Sequence, residues 1–412
     1  MARASVLDTL RVATTALMPI VARGALLRRP SMVRAQEKAD ADRRLVRLLQ
    51  RLRDTYGEDR LRLRVPGRSI SLVLSREDVQ HVLSDVVTYT PANVEKRHAL
   101  AHFQPDGLLI SDAADRPHRR TFTEAVLDTH SSVHALGDVF ASKVDEEVTP
   151  TAGRLDWDDF AASWWRLVRR IVLGDSAADD SLLIERLKSL RANANWSYFH
   201  REEVEHREIF LRHVRSYVDR AEPGSLAARI AAQPAAADVH PESQVAHWLF
   251  AFDAAGMATF QALALLASHP SVPRDQDHLR ASVLESVRLW PTTPLVLRDS
   301  AADGSTLLIL APFFHRDDQR LSYANAFEPE VWLDGRADHA LIPFSDGPAV
   351  CPGRNLVLFI AAKTLSAMFL EHDFMLTSHP QLAADEPLPG TLNPLGLRFA
   401  VTARTVDEVP VG

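Results

Sequence analysis

Along most of the chain apolar residues recur every three or four positions, the period of a helix with one buried face. Residues 34–56 set Leu45, Leu48, Leu49 and Leu52 among Arg, Asp and Glu and predict an amphipathic surface helix. Segments near 155–173, 181–194, 201–221, 243–268, 274–290 and 354–371 keep the same spacing. Period two is confined to short pieces. Leu61, Leu63, Val65 and Ile70, Leu72, Leu74 alternate on either side of the turn dipeptide Pro66-Gly67, so 60–74 reads as a β-hairpin, and strand signals return near 293–311 and 391–404. The pattern predicts a mainly α protein with a small β lobe in which the early hairpin meets the late strands. No fixed-period repeat is visible, and the Pro- and Ala-rich stretch 223–241 reads as a surface connection, so residues 1–412 are expected to form a single domain. The first 30 or so residues, where Leu, Val and Ile alternate with Arg, read as a peripheral helical extension.

Composition narrows the partners. With 47 Lys+Arg against 54 Asp+Glu, the net charge of −7 leaves no basic excess for phosphates, and no nucleic-acid partner is expected. The uncharged stretch 12–22 contains Pro19 and falls short of the ~20 apolar residues that span a bilayer. Neither a transmembrane segment nor a secretory signal is expected, which makes the cytoplasm the default location. The single cysteine, Cys351, rules out an intramolecular disulfide and any metal site built from several thiolates of this chain.

An isolated cysteine is most often a small buried apolar residue. Cys351 instead sits in the turn-rich segment 343–356 that runs into an apolar helix. Gly347 and Gly353 are expected to supply backbone freedom, and the following helix N-terminus to lower the thiol pKa. Phe344-x-x-Gly347-x-x-x-Cys351-Pro352-Gly353 resembles the haem-binding loop of the cytochrome P450 family. Glu285-Ser286-Val287-Arg288 is similar to that family's Glu-x-x-Arg helix motif, and Leu289 to Arg298 resemble the segment leaving that helix. Phe327-Glu328-Pro329-Glu330-Val331-Trp332, with His315-Arg316-Asp317 ahead of it, resembles a further stretch. There Val331 occupies the family's arginine position, and whether Arg336 or another group substitutes is open. The resemblance spans roughly residues 60–404.

It implies a P450 fold with haem b between a long central helix and the cysteine-loop helix, and Cys351 as thiolate axial ligand of the iron. Glu285 and Arg288 would brace the loop. Arg298, Arg116, His118 and Arg120 match the propionate contacts, while Phe344, Gly347, Gly353 and Ala255 would pack against the cofactor; Ala349 stands where bacterial members often place a cation. In the central helix Gly256 would give the ring room, and Thr259 matches the alcohol that serves proton delivery. Ala258 stands where the acid belongs, and Asp253, five residues earlier, is turned about 140° away from it. Family position further implies substrate contacts at Thr90, Phe103, Leu108, Phe252, Met257, Thr293, Leu295 and Leu392, an apolar lining suited to a hydrophobic small molecule. The activity implied is that of an oxidoreductase in secondary metabolism: a monooxygenase using dioxygen and NAD(P)H-derived electrons from a ferredoxin and its reductase. Peroxide-driven oxidation, suggested by Ala258, and a non-catalytic haem-containing binding protein are the alternatives.

Overall fold

A computed structural model describes residues 1–148, 152–234, 236–384 and 386–404. The long helices lie at Trp157–Leu173, Ser181–Ala194, Val204–Arg220, Pro241–Ser268, Gln276–Leu289 and Arg354–Glu371, close to the segments the apolar spacing marks. Several begin on carboxylate caps that satisfy free N–H groups of the first turn: Asp156, Asp180 and Asp275 accept from the backbone two or three residues on. The helix expected over 34–56 is instead two, Pro30–Ala39 and Ala41–Tyr56, broken at Asp40 with φ 45°. A tertiary bond fixes that break, because the Asp40 carboxylate accepts the Thr391 N–H at 2.9 Å. Short helices such as Arg76–Ser84, Val94–Leu100 and Gly137–Glu147 escape the periodicity because each buries few side chains. The central helix Pro241–Ser268 is long and apolar enough to cross a membrane, yet 78% of its most apolar window is buried within the protein.

The hairpin forms with Leu61 opposite Leu72. Its second strand, Ile70–Leu72, pairs in parallel with Thr306–Leu310, which pairs antiparallel with Leu295–Ser300, so early and later strands do share one six-stranded sheet. The strand Arg398–Ala403 does not join them. It lies in a separate sheet between Gly153–Asp156 and His372–Leu376.

The N-terminal segment is no peripheral extension. Ala2–Arg3 adds a parallel strand beside Leu61–Arg62. Ala4, Val12, Ala16 and Ile20 are buried in one cluster with Leu45, Leu49 and Leu52, and Arg28 donates to the Thr292 carbonyl at 2.6 Å. One apolar core therefore unites this segment with the six-stranded sheet, and a second surrounds the central helix.

Candidate active site

The cysteine loop is held by hydrogen bonds from every side. The Cys351 N–H donates to the Phe344 carbonyl at 3.0 Å, closing the turn. Arg120 Nη1 donates to the Val350 carbonyl at 2.7 Å and Thr129 Oγ1 to the Pro352 carbonyl at 2.8 Å. His315, fully buried, accepts the Ile342 N–H on Nε2 at 2.9 Å and faces the Arg288 carbonyl with Nδ1 at 3.2 Å, which assigns the proton to Nδ1. Gly347 has φ +65° and a Cβ there would stand 2.2 Å from the Leu83 carbonyl oxygen, so only glycine fits. Gly353 does not meet the same expectation. Its φ is −88° and its nearest neighbour to an added Cβ is Leu127 Cδ1 at 3.7 Å, an ordinary contact.

Behind the loop, Glu285 and Arg288 are both fully buried and paired through two bonds of 2.5 and 2.7 Å. Arg288 also donates to the carbonyls of His315, Ala324, Tyr323 and Ala326. Beside the valine at 331, Glu285 is satisfied by the Glu328 N–H and the Trp332 indole N–H, each at 2.9 Å. Arg336 takes no part; it is exposed and pairs with Glu328 and Asp334. A backbone donor and an indole thus complete the acceptor demand of Glu285.

A cavity of about 290 Å³ opens on Cys351, Phe344 and Ala349. Arg116 and Arg120 line the same space, and Arg298, 2% exposed, reaches the lining residue Ser345 at 3.3 Å while its Nε has no partner. Arg120 is bridged to Glu124, whereas Arg116 and Arg298 have no carboxylate partner among the described residues. Burial, then repulsion from Arg120, brings Arg116 down to about 10. Burial and then Arg116 do the same to Arg298, and burial followed by Arg298 and Arg116 lowers Lys96 well below the usual lysine range. Such a cluster is stable only with anions beside it. His118 is not part of it: it points to the surface and pairs with Asp238 at 3.0 Å, two residues from both Arg116 and Arg120 and so on the opposite face of their helix.

The thiol itself departs from expectation. Burial raises the Cys351 pKa, and the Gly353 N–H, Arg120 and Arg354 oppose that rise without cancelling it. A cation at sulfur is then what draws out the thiolate. Among the described residues no group of three or more His, Cys, Asp or Glu could hold a metal ion, so a metal at Cys351 takes its remaining ligands from a cofactor. The site fits haem on both counts, with one thiol donor and unneutralised guanidinium groups for the two propionates.

The central helix presents Ala251, Ala254, Ala255 and Ala258 to the cavity. Gly256 turns the other way, making room for Trp164, whose Nε1 would lie 2.7 Å from an added Cβ. Thr259 is fully buried, absent from the lining, and donates its hydroxyl proton to the Ala255 carbonyl at 2.8 Å. Of the substrate contacts expected, Leu108, Met257 and Thr293 line the cavity, while Leu392 lines a small adjoining one that also touches Met257. Phe103 and Phe252 are buried in the core off that stripe, and Thr90 and Leu295 sit in strands paired with Asp299 and Leu310.

The lining is also less uniformly apolar than expected. Arg28, Arg191, Asp253 and His247 all face it. Arg28 lies in the connection between Ala22 and Pro30 and the other three in separate turns of two helices, and nothing in their spacing ties them to one place.

A family model described as Cytochrome P450 matches residues 278–394, from the Glu285 helix through the cysteine loop. Ferruginol synthase of Salvia pomifera is 32% identical over 145 residues, 31% of this chain and 31% of that protein. Sugiol synthase of Salvia miltiorrhiza is 32% identical over 145 residues, 31% of this chain and 29% of that protein. Cytochrome P450 4V2 of Homo sapiens is 26% identical over 157 residues, covering 29% and 30%. The chain thus matches about a third of the length of these relatives. The solved structure of retinoic acid bound cyanobacterial CYP120A1 aligns over 86% of this chain and 94% of its own, with TM-score 0.65 at 14% identity, which establishes a shared fold. A buried Glu–Arg brace, a clamped cysteine loop, arginines without a carboxylate partner beside the same cavity and these matches converge on the cytochrome P450 family, whose model matches residues 278–394 and whose fold the chain shares.

Proposed function

We propose that the protein is a haem-thiolate monooxygenase acting on an apolar small molecule, supplied with electrons by separate redox partners of the ferredoxin and reductase type. The observation that carries this reading is the meeting of Cys351 and Arg116 on one cavity, with Arg298 held against its lining residue Ser345. Haem, when bound, supplies dioxygen activation and one-electron chemistry. In the overall reaction a C–H bond becomes C–OH, the second oxygen atom leaves as water, and two electrons and two protons are consumed.

The chain's own residues do the rest. Cys351 would supply the thiolate that holds the haem iron, while Arg116 and Arg298 would hold the anionic edge of the cofactor. Leu108, Trp248, Phe250, Val287 and Val296 exclude water and orient an apolar body. Protons must reach the cavity past Ala258, which offers none, so ordered water or the substrate itself delivers them. Exposed Arg354, just beyond the cysteine, offers a cation to an acidic electron donor. The names of the plant relatives, ferruginol and sugiol synthase, support a role in making small apolar metabolites.

The reduced carbon-monoxide spectrum tests the assignment. A strongly red-shifted Soret band is expected, Cys351→Ala should abolish it, and a histidine-like band would remove the thiolate from the mechanism. Ala258 also favours a second reading, oxidation driven by peroxide. Comparing turnover by dioxygen with ferredoxin and reductase against turnover by hydrogen peroxide separates the two.

A further inference from the structure

The same cavity also carries charge, with Arg28, Arg191 and Asp253 in its lining. Arg191, 2% exposed, bonds the Leu26 carbonyl through Nε at 2.9 Å and pairs with Asp253 through Nη2, while its Nη1 lies buried with no partner. Arg28 spends its donors on two neutral acceptors, the carbonyls of Gly24 at 3.0 Å and Thr292 at 2.6 Å. Nearby Arg23 is already paired with Asp42 at 3.0 Å. Three guanidinium groups (Arg23, Arg28, Arg191) therefore face two carboxylates (Asp42, Asp253), leaving one positive charge over. Burial brings Arg28 down to about 9, with Arg23 and Arg191 adding repulsion against Asp253 and Asp42, so it stays cationic at neutral pH. Trp248, Phe250, Val287 and Val296 line the same cavity. A cation in a largely apolar lining is costly without a counter-ion.

We infer that the substrate carries a carboxylate, seated on Arg28 and the free Nη1 of Arg191, with its apolar body lying along Trp248 and Phe250 toward Cys351. This rests on the monooxygenase reading only in taking the cavity as the substrate site. Guanidinium and carboxylate form charge-assisted pairs that an ester or alcohol of the same shape cannot make.

The test is calorimetric titration of the haem-loaded protein with dodecanoate, methyl dodecanoate and 1-dodecanol. Dodecanoate should bind at least about tenfold tighter than the ester. Arg28→Gln should erase that preference while ester affinity stays within about twofold. Arg191→Gln also strips a brace from Leu26, so Asp253→Asn is the cleaner probe. It frees the second guanidinium and should tighten dodecanoate binding without moving the ester. Equal affinity for acid and ester, or binding of neither, overturns the inference, as does a preference that survives Arg28→Gln. An unchanged or weaker dodecanoate affinity in Asp253→Asn removes Arg191 from the seat. The reduced carbon-monoxide band read on the same sample keeps the two readings apart. A normal band with no acid preference rejects the carboxylate alone, and an acid preference with no thiolate band rejects the monooxygenase alone.

Discussion

Gly347 and Gly353 flank the cysteine and look equivalent in the sequence, but only one is constrained. Gly347→Ala must place a methyl group against the Leu83 carbonyl at a left-handed φ, so it should cost about 2 kcal/mol or more and shed haem. Gly353→Ala should melt within a degree or two of the parent, and equal losses in both variants would contradict this assignment. His315 gives the same loop an acid limit. Its folded pKa lies near 3, chiefly because of burial and then the charge of Arg288, against about 6.5 in the unfolded chain. The unfolded state therefore binds the proton first, and the stability its neutral ring provides is fully present above about pH 6.5 and lost as pH falls toward 3. The loss is on the order of 5 kcal/mol when complete. Protonation would also break the Ile342 N–H bond at the start of the cysteine loop. In His315→Gln an amide acceptor replaces Nε2 without titrating, so denaturation midpoints followed from about pH 7 to about pH 4 should fall less steeply than in the parent. Parallel slopes would exclude His315 as the source. Cys351, Glu285 and Arg288 were legible because motif and order mark them. Trp332 as the donor completing Glu285 was not, since only the folded chain brings an indole 47 positions away onto that carboxylate.

On the central helix, one stripe of side chains decides what the cavity can do. Residues 251, 254, 255 and 258 share it, so Ala258 faces the cavity while Thr259, next in sequence, is turned into the helix packing. Reading the motif by alignment gave the right helix and put Gly256 and Thr259 on the wrong part of its circumference; a rotation of one residue, about 100°, is invisible to a pattern match. Ala258→Asp would place a carboxylic acid on the cavity wall. Positioned acid–base groups contribute ~10²-fold or more to proton transfer, so product formed per electron consumed should rise with poor substrates, and released peroxide should fall. Thr259→Val should change that ratio little, because its hydroxyl proton is already held by the Ala255 carbonyl. The opposite pattern, with Ala258→Asp silent and Thr259→Val strongly uncoupled, would show that Thr259 rotates into the cavity during turnover.

At the scale of the molecule, the first 22 residues decide whether the six-stranded sheet has a covered face. Their apolar positions alternate with Arg, which in the sequence looks like a surface helix; the partners that bury them, Leu45, Leu49 and Leu61, lie tens of residues away. Pairing across such distances is why the early hairpin could be seen locally while its parallel partner Thr306–Leu310 and the separate place of Arg398–Ala403 could not. Val12 and Ala16 are fully buried and Ile20 is 5% exposed. Burying a large aliphatic side chain stabilises by about 1.5–3 kcal/mol, so deleting residues 1–22 should cost about 5 kcal/mol once the exposed faces of Leu45 and Leu49 are included. It also removes the edge strand Ala2–Arg3 and the Ser5 N–H bond to the Tyr56 hydroxyl at 3.0 Å. A fall of many degrees in melting temperature is expected, together with weaker ligand binding, because Arg28 on the cavity wall is anchored just beyond the deleted segment. Val12→Asp, which leaves the chain length intact, should reproduce most of the stability loss. A deletion that melts with the full chain would return the segment to the surface.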